Sequence, residues 1–137
     1  MKGYLLSIVF LLAFTSCASK KSDETKVNIF DYKTVEKIEL GFTKDNVVKN
    51  ISEKHWEELL NIIERAEYDN DQYDEEKNPN GYAVALAGSD FKIKIFYKNS
   101  TIDEICAWID ADNILMNGKL YMLNEQEKLK NIIDGYK

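Results

Sequence analysis

Histidine, proline and arginine are each present only once in this 137-residue sequence, as His55, Pro79 and Arg65. Two cysteines, Cys17 and Cys106, allow at most one disulfide, which excludes a disulfide framework. One histidine and two cysteines, far apart in the chain, also fail to supply the spaced ligand set of a zinc site. No Gly-x-Ser-x-Gly elbow, phosphate loop or dinucleotide glycine pattern occurs. Long apolar runs are missing too. The longest, Leu5 to Phe14, is about half of the ~20 residues that a membrane-spanning helix needs. Basic charge is in deficit, 18 Lys and Arg against 24 Asp and Glu, for a net charge of −6. That excludes the basic stripe required for nucleic-acid phosphates.

What is there begins at the N-terminus. Lys2 precedes the apolar run and small residues follow it, which is the order of a secretory signal peptide. Phe14-Thr15-Ser16-Cys17 resembles the lipobox of bacterial lipoproteins, in which small residues precede an invariant cysteine; Phe14 stands where leucine is usual. The resemblance implies that residues 1–16 are removed and the Cys17 thiol is acylated. It further implies a place in the cell envelope, membrane-anchored on the extracytoplasmic side through that lipid. Loss of Lys2 with the leader moves the balance from −6 to −7. Cys106 then remains as the single free thiol. Residues 18–26 are small and charged and have nothing to bury, so residues 17–33 read as a lipidated N-terminus and flexible tether.

Residues 34–137 are long enough for one domain with one core. Val35 to Phe42 alternates apolar and polar, as a half-buried strand does. Ser52 and Glu53 open a helix, with Ile51 placed to staple against Trp56, and Trp56, Leu59, Leu60 and Ile63 form one apolar stripe. Glu67 to Gly81 is polar, holds the one proline, and reads as a long exposed loop. The period then becomes two. Strands are expected over Tyr82–Ala87, Phe91–Lys98, Ile102–Ile109, Asn113–Met116 and Lys119–Leu123, with Asn117-Gly118 as a type I′ hairpin turn. Asn124 with Glu127 suggests a capping box for a last helix, carrying Leu129, Ile132, Ile133 and Tyr136 and ending at Gly135.

The expected fold class is therefore α+β, a single antiparallel sheet of about five strands with two helices packed on one face. The order β-α-β(4)-α resembles one half of a TATA-binding-protein-like domain, in element order alone and in no motif. Asn117-Gly118-Lys119-Leu120-Tyr121, closing a strand-rich second half, is similar to uncharacterised small bacterial lipoproteins. Neither resemblance implies an activity.

Chemistry has few places to sit. His55, in the first turn of its helix, is expected to be exposed or to cap; Cys106, between Ile105 and Ala107, to be buried and inert. Glu67, Asp69, Asp71, Asp74, Glu75 and Glu76 put six carboxylates in ten residues with no basic residue among them. Such a run offers either an interaction surface or hard oxygen ligands for calcium. The calcium-loop template fails, because Tyr73 follows Asp69-x-Asp71 and no glycine takes the turn position. Phe96 falls on the lysine-bearing face of its strand and Trp108 shares a face with Cys106, so the two could mark an exposed aromatic patch. The leading expectation is a non-catalytic envelope binding or interaction module, an adaptor, inhibitor or accessory subunit with a protein partner. It needs no cofactor. A calcium- or small-ligand-binding lipoprotein using residues 67–76 comes second. A hydrolase using Asp110 and Asp112 comes third.

Overall fold

The computed structural model describes residues 30–137 except 109 and 111. The leader and Cys17 lie outside the described residues. The folded body begins earlier than the expected position 34. Phe30 is buried in the core at 4% exposure, and its backbone N–H donates to Glu64 Oε1. Asp31 caps a short 3-10 turn, Tyr32–Thr34, and the Tyr32 hydroxyl donates to Asn61 Oδ1. The apolar and aromatic side chains of these residues bury surface, and that places them with the domain rather than the tether.

Strand β1 (Val35–Phe42) forms as its alternation requires and buries Val35, Ile38 and Leu40. Asn46, at φ 51°, turns the chain into β2 (Val47–Asn50), which pairs antiparallel with β1. Helix α1 (Trp56–Glu64) follows a 3-10 turn over Glu53–His55, and Trp56 Nε1 donates back to the Ile51 carbonyl. Leu59, Leu60, Ile62 and Ile63 are its buried stripe.

Residues 67–81 are not one loop. Glu67–Asn70 is strand β3, an edge strand paired with the final strand along the chain. Helix α2 then occupies Pro79–Gly88, so the strand expected over Tyr82–Ala87 is helical. The cause is local. The Asn78 side chain accepts from the Gly81 N–H, and Pro79 at the helix start lacks a donor that would be unpaired anyway. Ala83, Ala85 and Ala87 are the best helix formers, and their spacing among larger apolar residues mimics a period of two.

Four further strands complete the sheet: β4 (Phe91–Tyr97), β5 (Ile102–Ala107), β6 (Asn113–Met116) and β7 (Lys119–Met122). All pairings are antiparallel, in the order β2-β1-β4-β5-β6-β7-β3. The α+β class with one antiparallel sheet therefore stands, with seven strands in place of about five. Asn117 and Gly118, at φ 51° and 73°, make the expected I′ turn between β6 and β7.

Helices α1 and α3 (Gln126–Asp134) share one face of the sheet, where Ile38, Leu40, Ile93, Ile95, Ile105 and Ile114 meet Leu59, Leu60, Leu129 and Ile133. Helix α2 packs on the other face, setting Ala85 against Cys106 and Leu115. The expectation that helices cover one face thus holds for two of three. The β-α-β(4)-α order, and with it the TATA-binding-protein-like arrangement, is replaced by β-β-α-β-α-β-β-β-β-α. No described helix is long and apolar enough to cross a membrane.

Candidate functional site

Strand alternation sorts the side chains of the second sheet face. The register places Lys37, Glu39 and Gly41 of β1 beside Phe96, Lys94 and Lys92 of β4, and these beside Ile102, Glu104 and Cys106 of β5. Helix α2 covers the Cys106–Leu115 half. No described helix covers the β2-β1-β4 half. Val48 on β2 is 62% exposed, and Ile102 is 53% exposed.

Charge on this open half is laid out in a row. Lys37 Nζ lies 2.6 Å from Glu39 Oε1 and 4.2 Å from the centroid of the Phe96 ring. Glu104 receives two lysines, Lys94 at 3.3 Å and Lys92 at 3.8 Å. Exposed pairs of this kind contribute about 0–1 kcal/mol each, so they pattern the surface more than they stabilise it. Between β2 and β4 the face sinks into a hollow of about 220 Å³, floored at Gly41 and walled by Val48, Thr43, Glu39, Lys92 and Lys94. On this side β2 is the last described strand, so its outer row of backbone groups faces no described strand.

The residues singled out in the sequence lie elsewhere or apart. Phe96 is half-buried beneath Lys37, and Trp108 packs against the Ala85–Cys106–Leu115 cluster. Phe96 pairs with Ile102 at one end of β5 and Trp108 follows its other end, a separation of roughly 20 Å at ~3.3 Å per residue. They do not form one patch.

Four of the six carboxylates of residues 67–76 turn to local tasks. Glu67 accepts from Asn124 at 3.2 Å and Asp69 from Asn113 at 3.3 Å. Asp71 pairs with Lys77 at 2.7 Å, and bonds to Lys77 and to the Tyr68 hydroxyl hold its carboxyl below the usual range. Asp74 accepts the Glu76 and Lys77 N–H groups, while Glu75 and Glu76 are exposed. No three His, Cys, Asp or Glu side chains among the described residues are grouped to hold a metal ion.

Asp110 and Asp112 are both exposed between β5 and β6. His55 is tied to the C-terminus, its Nδ1 2.7 Å from the Tyr136 hydroxyl. Cys106 is 1% exposed, and burial raises its thiol pKa, which disfavours the thiolate that reactivity requires. It lies on the opposite sheet face from the helix that His55 precedes, so the two are not a nucleophile and base.

The sequence signals missed were Gly41 and Val47-Val48. A glycine inside an otherwise alternating strand weakens it and leaves a gap in the row of side chains. Two β-branched residues after Asp45-Asn46 mark the return arm of a hairpin. Compared with known proteins, the chain matches no protein-family model, no curated protein and no solved structure.

Proposed function

We propose that the chain is a membrane-anchored bacterial lipoprotein whose folded body is a non-catalytic interaction module of the cell envelope. The observation that carries the binding half is the β2-β1-β4 half of the second sheet face, which no described helix covers, with its hollow, its exposed Val48 and, beside it on β5, the exposed Ile102. A stable sheet with one helix-covered face and a partly uncovered opposite face needs no catalytic group to serve as an adaptor, inhibitor or accessory subunit. The anchor rests on Phe14-Thr15-Ser16-Cys17. Cys17 precedes the buried Phe30 by 13 residues, a reach of at most about 45 Å, so lipid there keeps the binding face close to the bilayer.

The test compares the native protein with Cys17→Ser in intact cells. The native protein should fractionate with membranes and incorporate labelled fatty acid, and the variant should do neither. A photo-crosslinker at Val48 should then capture one stoichiometric envelope protein. Membrane attachment of the serine variant would overturn the anchor; the absence of any captured partner would overturn the module.

A further inference from the structure

We infer that the hollow over Gly41 docks an acidic segment of a partner protein, which sets one apolar side chain on Gly41 and a flanking carboxylate on Lys92 and Lys94. This rests on the reading of the chain as an interaction module and names the chemistry of the partner.

The first observation is the glycine itself. Gly41 lies within β1, and its φ is not in the left-handed region. A Cβ built there would meet only Val48 Cγ2 at 3.8 Å and the Lys92 carbonyl oxygen at 3.9 Å, which are ordinary contacts. Neither the backbone nor the packing requires glycine. In a strand interior glycine costs stability, through lost side-chain packing and a larger entropy loss on folding. Its one structural effect here is the open floor of the hollow.

The second observation is charge. On this half of the face three lysines, Lys37, Lys92 and Lys94, meet two carboxylates, Glu39 and Glu104. Lys92 and Lys94 share Glu104, and Glu39, which also lines the hollow, is paired with Lys37, so these five groups leave one positive charge in surplus in a chain of net charge −6. Val48 supplies an apolar wall on the sheet rim, where an incoming segment has room to enter. An apolar side chain flanked by carboxylates matches floor, wall and lysines together; one flanked by lysines meets like charge.

The experiment uses the full-length lipidated protein, extracted in a zwitterionic detergent and labelled with ¹⁵N. Two blocked peptides are titrated, Gly-Ser-Glu-Leu-Glu-Asp-Ser-Gly and its counterpart with lysine at the three acidic positions. The acidic peptide should shift the amides of Gly41, Val48, Lys92 and Lys94, and the basic one should leave them unmoved. Gly41→Val, which fills the hollow with a residue that favours strands, should weaken binding about tenfold or more. The surface double variant Lys92→Gln/Lys94→Gln, which removes both charges without setting new carboxylates against Glu39 and Glu104, should do the same while melting near the parent temperature. The inference is overturned by unmoved amides, by equal binding of the basic peptide, or by undiminished binding to Gly41→Val. A dimer in sedimentation velocity that Gly41→Val abolishes would assign the hollow to a second copy and overturn it as well. Failed titration alongside a partner crosslinked elsewhere leaves the module standing. Successful titration with a soluble native protein leaves the docking site standing and removes the anchor.

Discussion

Tyr136, one residue from the end of the chain, fastens the C-terminus to the start of α1. Its hydroxyl oxygen accepts the Ser52 N–H at 2.9 Å and lies 2.7 Å from His55 Nδ1, and the two rings meet edge to face at 5.7 Å. Tyr136→Phe keeps the ring contact and removes both bonds. Ser52 is exposed and water can replace its partner, so the expected loss is about 0.5–1.5 kcal/mol in urea denaturation. His55→Ala should cost less in the Tyr136→Phe background than alone, since both act through one contact. Full additivity would show that the clasp does not exist in solution. The sequence marked Tyr136 as apolar stripe and His55 as exposed or capping. It did not pair them, because 81 residues separate the two and only the packing of α3 beside α1 brings them together.

Among the elements, α2 is the one the sequence misread, and its cap is where the misreading can be checked. Asn78→Ala removes the side-chain acceptor of the Gly81 N–H and should cost about 0.5–2 kcal/mol. A Cβ at Gly81 would fall 2.3 Å from Asn78 Nδ2 and displace that capping side chain. Gly81→Ala alone therefore gains about 1 kcal/mol of helix propensity and loses a cap of similar worth. In the Asn78→Ala background the cap is already gone, and Gly81→Ala should stabilise by about 1 kcal/mol. Urea melts of the four proteins give the coupling directly. Equal effects of Gly81→Ala in both backgrounds would mean that Asn78 does not cap α2. The stripes of α1 and α3 were legible because polar and apolar residues contrast strongly along them. In α2 alanine alternates with Tyr82, Val84 and Leu86, and a small apolar residue reads equally well as the inner or outer face of a strand.

At the scale of the whole molecule, α1 and α3 close one continuous core over β1, β4, β5 and β6. Leu60 and Ile133 sit in it at 0% and 2% exposure. Each truncation to alanine should cost roughly 2–5 kcal/mol, a large part of the 5–15 kcal/mol that holds a typical domain together. Both should shift a single transition seen alike by far-UV circular dichroism and tryptophan fluorescence. A negligible loss at either residue would place that helix face outside the core.

The sequence by itself determined the local elements with a strong period or a demanding turn. These are β1, β4 and β5, the Asn117-Gly118 hairpin, and the buried stripes of α1 and α3, where burial of one face and left-handed backbone leave little choice of residue. It also determined the class, since antiparallel strands and amphipathic helices in one short chain must bury their faces on each other. Only the tertiary structure decided the rest. The edge strands β2 and β3 are four residues each, too short to show a period; β2 carries only the local signal of Val47-Val48 after Asp45-Asn46, and both are held by the partners that β1 and β7 offer them. The division of the second sheet face into a half covered by α2 and a bare half over Gly41 arises in the same way. Alternation says that Lys92, Lys94 and Cys106 lie off the main core, but only the path of α2 decides which of them it covers.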